Sequence, residues 1–272
     1  MFATRATATL GVASVALACA LTDPFARAES EAATKTLTTH RLSHDAASRT
    51  RWNARWDDRE TTSDVTRVLW LVRHGQSTEE KPGEDDGTRR LTDLGRAQAA
   101  ATARRLGELV RGRRVHKMTH STMTRAEETA DIIAARAFPN VRREESDLLR
   151  EGAPPRPEPD TWRQAEETHA KDAPRLESAF RLMFHRASAT EEKGEPRDGE
   201  PRDRERHEIV VCHANVVRYF ILRAAQLPPD AWLRFGLYNA SVTRVEIRPD
   251  GGVSIRCVGD AGHLSPEQLT HN

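Results

Sequence analysis

Residues 68–78 read VLWLVRHGQST. The first five, Val68-Leu69-Trp70-Leu71-Val72, form an unbroken apolar run rich in β-formers. A run of that length without alternation predicts a strand buried on both faces, as in a parallel sheet. It stops at Arg73-His74-Gly75, which sets a guanidinium and an imidazole at the strand's carboxyl end, with a glycine to turn the chain. Ligands of open α/β sheets bind outside the carboxyl ends of the strands. A guanidinium there suits phosphate oxygens in a bidentate fork, and a neutral imidazole can attack phosphorus. Taken alone, the tripeptide fits a structural histidine as well as a catalytic one.

Reading outward, the same order of strand, polar corner and helix returns. Residues 79–90 are acidic and glycine-bearing, a loop; Thr92 has the chemistry of an N-cap, and residues 97–110 read as a helix. A short strand over 117–120 turns at 121–125, where Thr124 and Glu127 have the spacing of a capping box for a helix reaching about residue 137. Residues 141–144 suggest another strand. Leu148-Leu149-Arg150-Glu151 leads into a proline-rich loop up to residue 160, and helical patterns follow over 162–170 and 175–186. The strand at 208–212 ends in His213-Ala214-Asn215, with a helix over 216–225. Two strands, 241–247 and 253–258, flank Pro249-Asp250-Gly251-Gly252 as an edge hairpin. This βα order predicts a three-layer α/β/α sandwich around a mostly parallel sheet. Three strand ends would gather Arg73, His74, Arg125 and His213 on one edge. Glu151, on a loop between elements, would add a proton donor.

Composition narrows the classes. The net charge of the 272 residues is +1, so no nucleic-acid partner is expected. The hydrophobic share, 37%, is low and predicts unfolded stretches or tails. The three cysteines have no metal-ligand spacing, and no metal site or cofactor is expected. Residues 1–28 read as a targeting or anchoring segment. A secretory signal, a mitochondrial presequence and a short anchor over residues 6–22 compete on this evidence. Residues 29–66 read as a linker, broken by Trp52-Asn53-Ala54-Arg55-Trp56-Asp57. Two tryptophans four apart either pack on the chain's own domain or dock another subunit, since Trp is a favoured interface anchor. The domain itself is placed at 67–265, with a tail at 266–272. Within it, residues 187–207 carry the tandem repeat GEPRD-GEPRD and are expected to form a disordered loop.

Four blocks carry a resemblance: LVRHGQST at 71–78, LTDLGRAQA at 91–99, HSTMTRAEETA at 120–130 and VCHANVVR at 211–218. Together they resemble the histidine phosphatase superfamily, the phosphoglycerate mutase-like family. LLREGAPPRPEPD at 148–160 and GDAGHLSPEQLT at 259–270 are similar to its branch of mitochondrial serine/threonine-protein phosphatases. The resemblance implies hydrolysis of phosphoserine and phosphothreonine in proteins through a phosphohistidine, without a metal. It makes His74 the nucleophile, Arg73, Arg125 and His213 the phosphate ligands, and Glu151 the general acid and base. It further implies a mitochondrial, membrane-associated homo-oligomer anchored through residues 6–22. In that branch a Trp-Asp-Pro-Asn-Trp-Asp motif drives assembly; here Trp52, Trp56 and Asp57 match and residues 53–55 depart. The alternatives carried with this reading are a phosphatase of small phosphorylated metabolites and an inactive scaffold.

Overall fold

A computed structural model describes residues 52–189 and 204–271. The segment 1–28 and both GEPRD repeats lie outside the described residues. Six strands form one mixed sheet in the order β3-β2-β4-β1-β5-β6: β1 Thr66–Arg73, β2 Val115–Ser121, β3 Arg142–Ser146, β4 Glu205–Cys212, β5 Val242–Ile247 and β6 Val253–Asp260. The first four are parallel; β5 runs against them, and β6, antiparallel to β5, closes the edge hairpin. Among the described residues four helices cover the sheet: α1 Asp93–Leu109, α2 Thr124–Ala137, α3 Glu166–Met183 and α4 Ala214–Ala224.

The pleat of β1 explains the three layers. Val68, Trp70 and Val72 point to one face and pack with Leu106 of α1 and Ile133 of α2. Leu69 and Leu71 point to the other and pack with Leu176 and Phe180 of α3 and Phe220 of α4. A strand buried on both faces needs apolar residues at every position, which is why this one reads as a continuous run.

Several expectations are corrected. Met123, not Thr124, is the N-cap of α2, and it makes no side-chain cap. Ser121 Oγ accepts the Met123 N–H at 3.2 Å, so the helix starts one residue early and Thr124 with Glu127 falls inside it. The patterns at 162–170 and 175–186 belong to one helix, α3, which carries Pro174 within it and leaves Trp162 outside. Strand β4 begins at Glu205 because it pairs with β1 from Thr66 onward, so residues 205–207 are ladder rather than loop. The stretch after 265 is tied to the domain: Asn239 N donates to Thr270 O at 3.0 Å, and Gln98 Nε2 reaches Gln268 O at 2.6 Å.

The segment before β1 also docks on its own domain. Trp56 Nε1 donates to Gly251 O at 2.8 Å, and its ring lies 5.8 Å from that of Phe180. Asp57 pairs with Arg186, both side chains buried. Gly251 sits at φ +82°, and a Cβ there would meet Ala54 O at 2.2 Å, so this turn needs glycine twice over. Trp52 is 43% exposed. Among the described residues no helix is long and apolar enough to cross a membrane.

A buried fork ties α3 to the sheet. Arg67 donates to Glu208 at 3.3 and 2.8 Å and to the carbonyls of Met183 and His185 at 3.1 and 2.8 Å. Burial pushes the Glu208 carboxyl up, but Arg67, Arg206 and Lys117 overcome this and hold it at about 2. Its folded value is depressed, so its stabilisation is complete above 4.5 and is lost as pH falls toward 2. Glu208→Gln is expected to cost about 3 kcal/mol at neutral pH, because a buried cation is left unpaired. In urea titrations the gap between parent and variant should narrow below pH 4.5; a gap that is small at neutral pH or independent of pH would contradict this role.

Candidate active site

The three central strands β2, β4 and β1 are parallel neighbours, so their carboxyl ends share one edge. Arg73 closes β1, and the next residue, His74, still donates its N–H to Cys212 O of β4 at 3.0 Å. His213 follows β4 and caps the start of α4. Arg125 enters from the first turn of α2, after β2. All four side chains are buried. The rings of His74 and His213 are 5.0 Å apart, and Arg125 Nε is 3.3 Å from His74 Nε2.

Close backbone approach fixes the corner after β1. A Cβ on Gly75 would meet Gly95 O at 2.5 Å, and one on Gly95 would meet Gln76 O at 2.0 Å. The glycines of RHG and TDLG are therefore two halves of one contact. Thr92 caps α1 by accepting the Gly95 N–H at 3.0 Å, and Gly75 N donates to Thr129 Oγ1 of α2 at 3.1 Å.

The histidines are held as neutral bases. His74 Nδ1 lies 2.7 Å from Gly75 O, which accepts only if Nδ1 carries the proton; Nε2 is then unprotonated and faces Arg125 Nε. Burial, then the charges of Arg73 and Arg125, push the His74 imidazole well below 6.5. Burial and the neighbouring His74, Arg125 and Arg73 do the same to His213, whose Nε2 lies 2.9 Å from Ser121 Oγ. Arg73 donates to Leu237 O at 2.6 Å, and burial pushes it down to about 10 against the opposing pull of Glu151. Glu151 is partly exposed, and desolvation by the surrounding protein raises its carboxyl above 4.5, outweighing Arg125 and Arg73.

The sequence comparisons agree with this geometry. The profile of the histidine phosphatase superfamily (branch 1) matches residues 69–260. The chain belongs to that superfamily. The mitochondrial serine/threonine-protein phosphatase PGAM5 of Xenopus laevis is 40% identical over 246 residues, covering 80% of this chain and 83% of its own length. The protein of the same name from Homo sapiens is 43% identical over 210 residues, 76% of this chain and 67% of its own. Among solved structures, the open reading frame Rv3214 from Mycobacterium tuberculosis is 25% identical with a TM-score of 0.51. That match covers 72% of this chain and 99% of the other.

In this histidine phosphatase, then, the five candidate residues named from the sequence converge at one strand edge, while other contributors to the site went unread. Ser121 positions His213 from within the HST block. Asp86, in a loop that reads only as acidic and polar, binds Arg125 with both backbone and side chain: Nη1 donates to its carbonyl at 2.7 Å and Nη2 to its carboxylate at 2.9 Å. Burial raises the Asp86 carboxyl, but Arg125 and Arg89 win and hold it below 3.8. Its only sequence signal is that an acidic loop follows a cationic corner.

An ionised carboxylate on Arg125 would compete with a phosphate for the same donors. Asp86→Asn is therefore expected to tighten competitive inhibition by inorganic phosphate. At a partly exposed pair the gain is about 1 kcal/mol, or roughly fivefold in Ki. Weaker inhibition in the variant would show instead that Asp86 aims Arg125 at the substrate.

Proposed function

We propose that this histidine phosphatase hydrolyses phosphoserine and phosphothreonine in proteins, with His74 as nucleophile. The observation that carries the reading is the His74 ring, its Nδ1 facing Gly75 O and its Nε2 beside Arg125. The relatives named serine/threonine-protein phosphatase supply the substrate class.

His74 Nε2 attacks phosphorus in line with the seryl or threonyl oxygen. Arg73, Arg125 and His213 hold the equatorial oxygens. Phosphoryl transfer needs mainly positioning and charge stabilisation, which fixed donors supply at about 3 kcal/mol each. Glu151 gives its proton to the departing oxygen as the phosphorus–oxygen bond breaks, leaving phosphohistidine and a free hydroxyl. Water then attacks phosphorus, Glu151 takes its proton, and phosphate leaves with His74 neutral again. A raised carboxyl pKa serves the first half of this cycle, since the acid must hold its proton near neutral pH.

The setting is proposed by the same route. The relatives are named mitochondrial in Xenopus laevis, Homo sapiens and Drosophila yakuba, which supports that compartment; an anchor over residues 6–22 is proposed from their apolar composition alone. Assembly into a homo-oligomer through Trp52, Trp56 and Asp57 is proposed from the resemblance of this segment to the assembly motif of the branch. Trp56 and Asp57 fit a receptor made by Phe180, Gly251 and Arg186 of the same chain, and Trp52 is 43% exposed. The same receptor on a second copy could take the segment in exchange.

The test is phosphate release by the full chain, without added metal, from phosphoserine and phosphothreonine peptides and from phosphoglycerates. Peptide turnover should dominate, fall at least about 1,000-fold in His74→Ala, and drop when Trp52 and Trp56 are both changed to Ala. Turnover of phosphoglycerates alone, indifferent to the tryptophans, would favour a metabolite phosphatase and ordinary packing of the segment.

A further inference from the structure

The block 211–218 gives His213 to the site, yet two more of its side chains converge on Glu151. The Glu151 carboxylate accepts the Gly152 N–H at 3.1 Å, and the Asn215 backbone at the start of α4 favours its ionised form. The Asn215 side chain grips the same loop: Nδ2 donates to Gly152 O at 3.2 Å. Its Oδ1 in turn accepts Arg218 Nη1 at 2.9 Å. Arg218 lies almost one turn further along α4, partly buried, with its buried Nε making no hydrogen bond among the described residues. Burial lowers the Arg218 guanidinium and the charge of Glu151 raises it, so the two groups sense each other electrostatically.

We infer that Asn215 and Arg218 are positioning residues for Glu151. Asn215 fixes the carboxyl group and its loop, and Arg218 orients Asn215 while balancing the negative charge left on Glu151 after protonation of the leaving group. This rests on the general-acid role proposed for Glu151. Other groups also face that carboxyl or its loop. Arg73 of β1 and Arg125 of α2 face it directly, and Arg175 of α3 donates to the Glu151 backbone carbonyl at 3.2 Å. Cys212 of β4 is a neutral thiol pushed up by burial. Removing Arg218 takes away one of the cations that favour the ionised carboxyl, so the protonated form persists to higher pH. The limb where kcat/KM falls with rising pH should move upward.

The experiment compares a phosphoserine peptide with p-nitrophenyl phosphate across pH, using the full chain. The peptide's alkoxide leaving group needs a proton; p-nitrophenolate hardly does. Arg218→Gln should lose roughly tenfold in kcat on the peptide and several-fold less on the aryl ester. Its pH limb should move up, and Arg218→Lys, which keeps the charge, should return the limb toward the parent position. If Arg218→Gln does not fold, Asn215→Ala is read on the same pair, with the same selective loss expected. Equal losses on both substrates, or a limb that neither variant moves, would overturn the inference. Glu151→Gln runs alongside: a selective loss there keeps the general-acid reading even if Arg218 fails its test, and equal losses there remove that reading itself.

Discussion

A phosphate site must crowd cations around a histidine that stays uncharged, and this fold depends on meeting both demands at one strand end. The Gly75 carbonyl accepts the Nδ1–H hydrogen bond, which leaves Nε2 as the base. Burial and the charges of Arg73 and Arg125 both oppose a second proton on His74. The same two arginines are the groups suited to phosphoryl oxygens. One arrangement of charge therefore favours a neutral nucleophile and an anionic substrate together.

The sheet makes that arrangement affordable in structural terms. Parallel order places the ends of β1, β4 and β2 side by side, so no single loop has to carry the whole constellation. The Gly75–Gly95 approach brings the α1 amino terminus against the corner after β1. Glu151 arrives by a different route, on the loop before α3. Arg175 braces that loop through the Leu148, Arg150 and Glu151 carbonyls, and Asp172 accepts the Ala153 N–H at 2.9 Å. The proposed proton donor is thus set by helix packing and the proposed phosphate ligands by strand order.

What was legible in the sequence follows this division. Strand β1 and the corners at Arg73, Ser121 and His213 could be read because a doubly buried strand has an unmistakable composition and ends where polar residues begin. The layers followed from alternating strands and helices. Asp86 was not legible, because an acidic loop carries no mark of which cation it will meet. Asn215 and Arg218 lie inside a block that was read, but their joint aim at Glu151 exists only once α4 is packed. Local rules misled where tertiary contacts took over: Ser121 displaced the expected cap at Thr124, and α3 ran through Pro174 because its apolar face, Leu176 and Phe180, is buried against the sheet. Trp56 and Trp52 look equivalent in sequence; the Gly251 turn and the Phe180 ring distinguish them.

The most direct measurement is of the covalent intermediate. The full chain is mixed with a phosphopeptide labelled at phosphorus, quenched in alkali within the first turnover, and digested for mass spectrometry. The account predicts phosphate on His74, stable to base and lost in acid, and absent from His74→Asn. Label on another residue, or turnover with no phosphoenzyme at any quench time and a normal rate in His74→Asn, would contradict it.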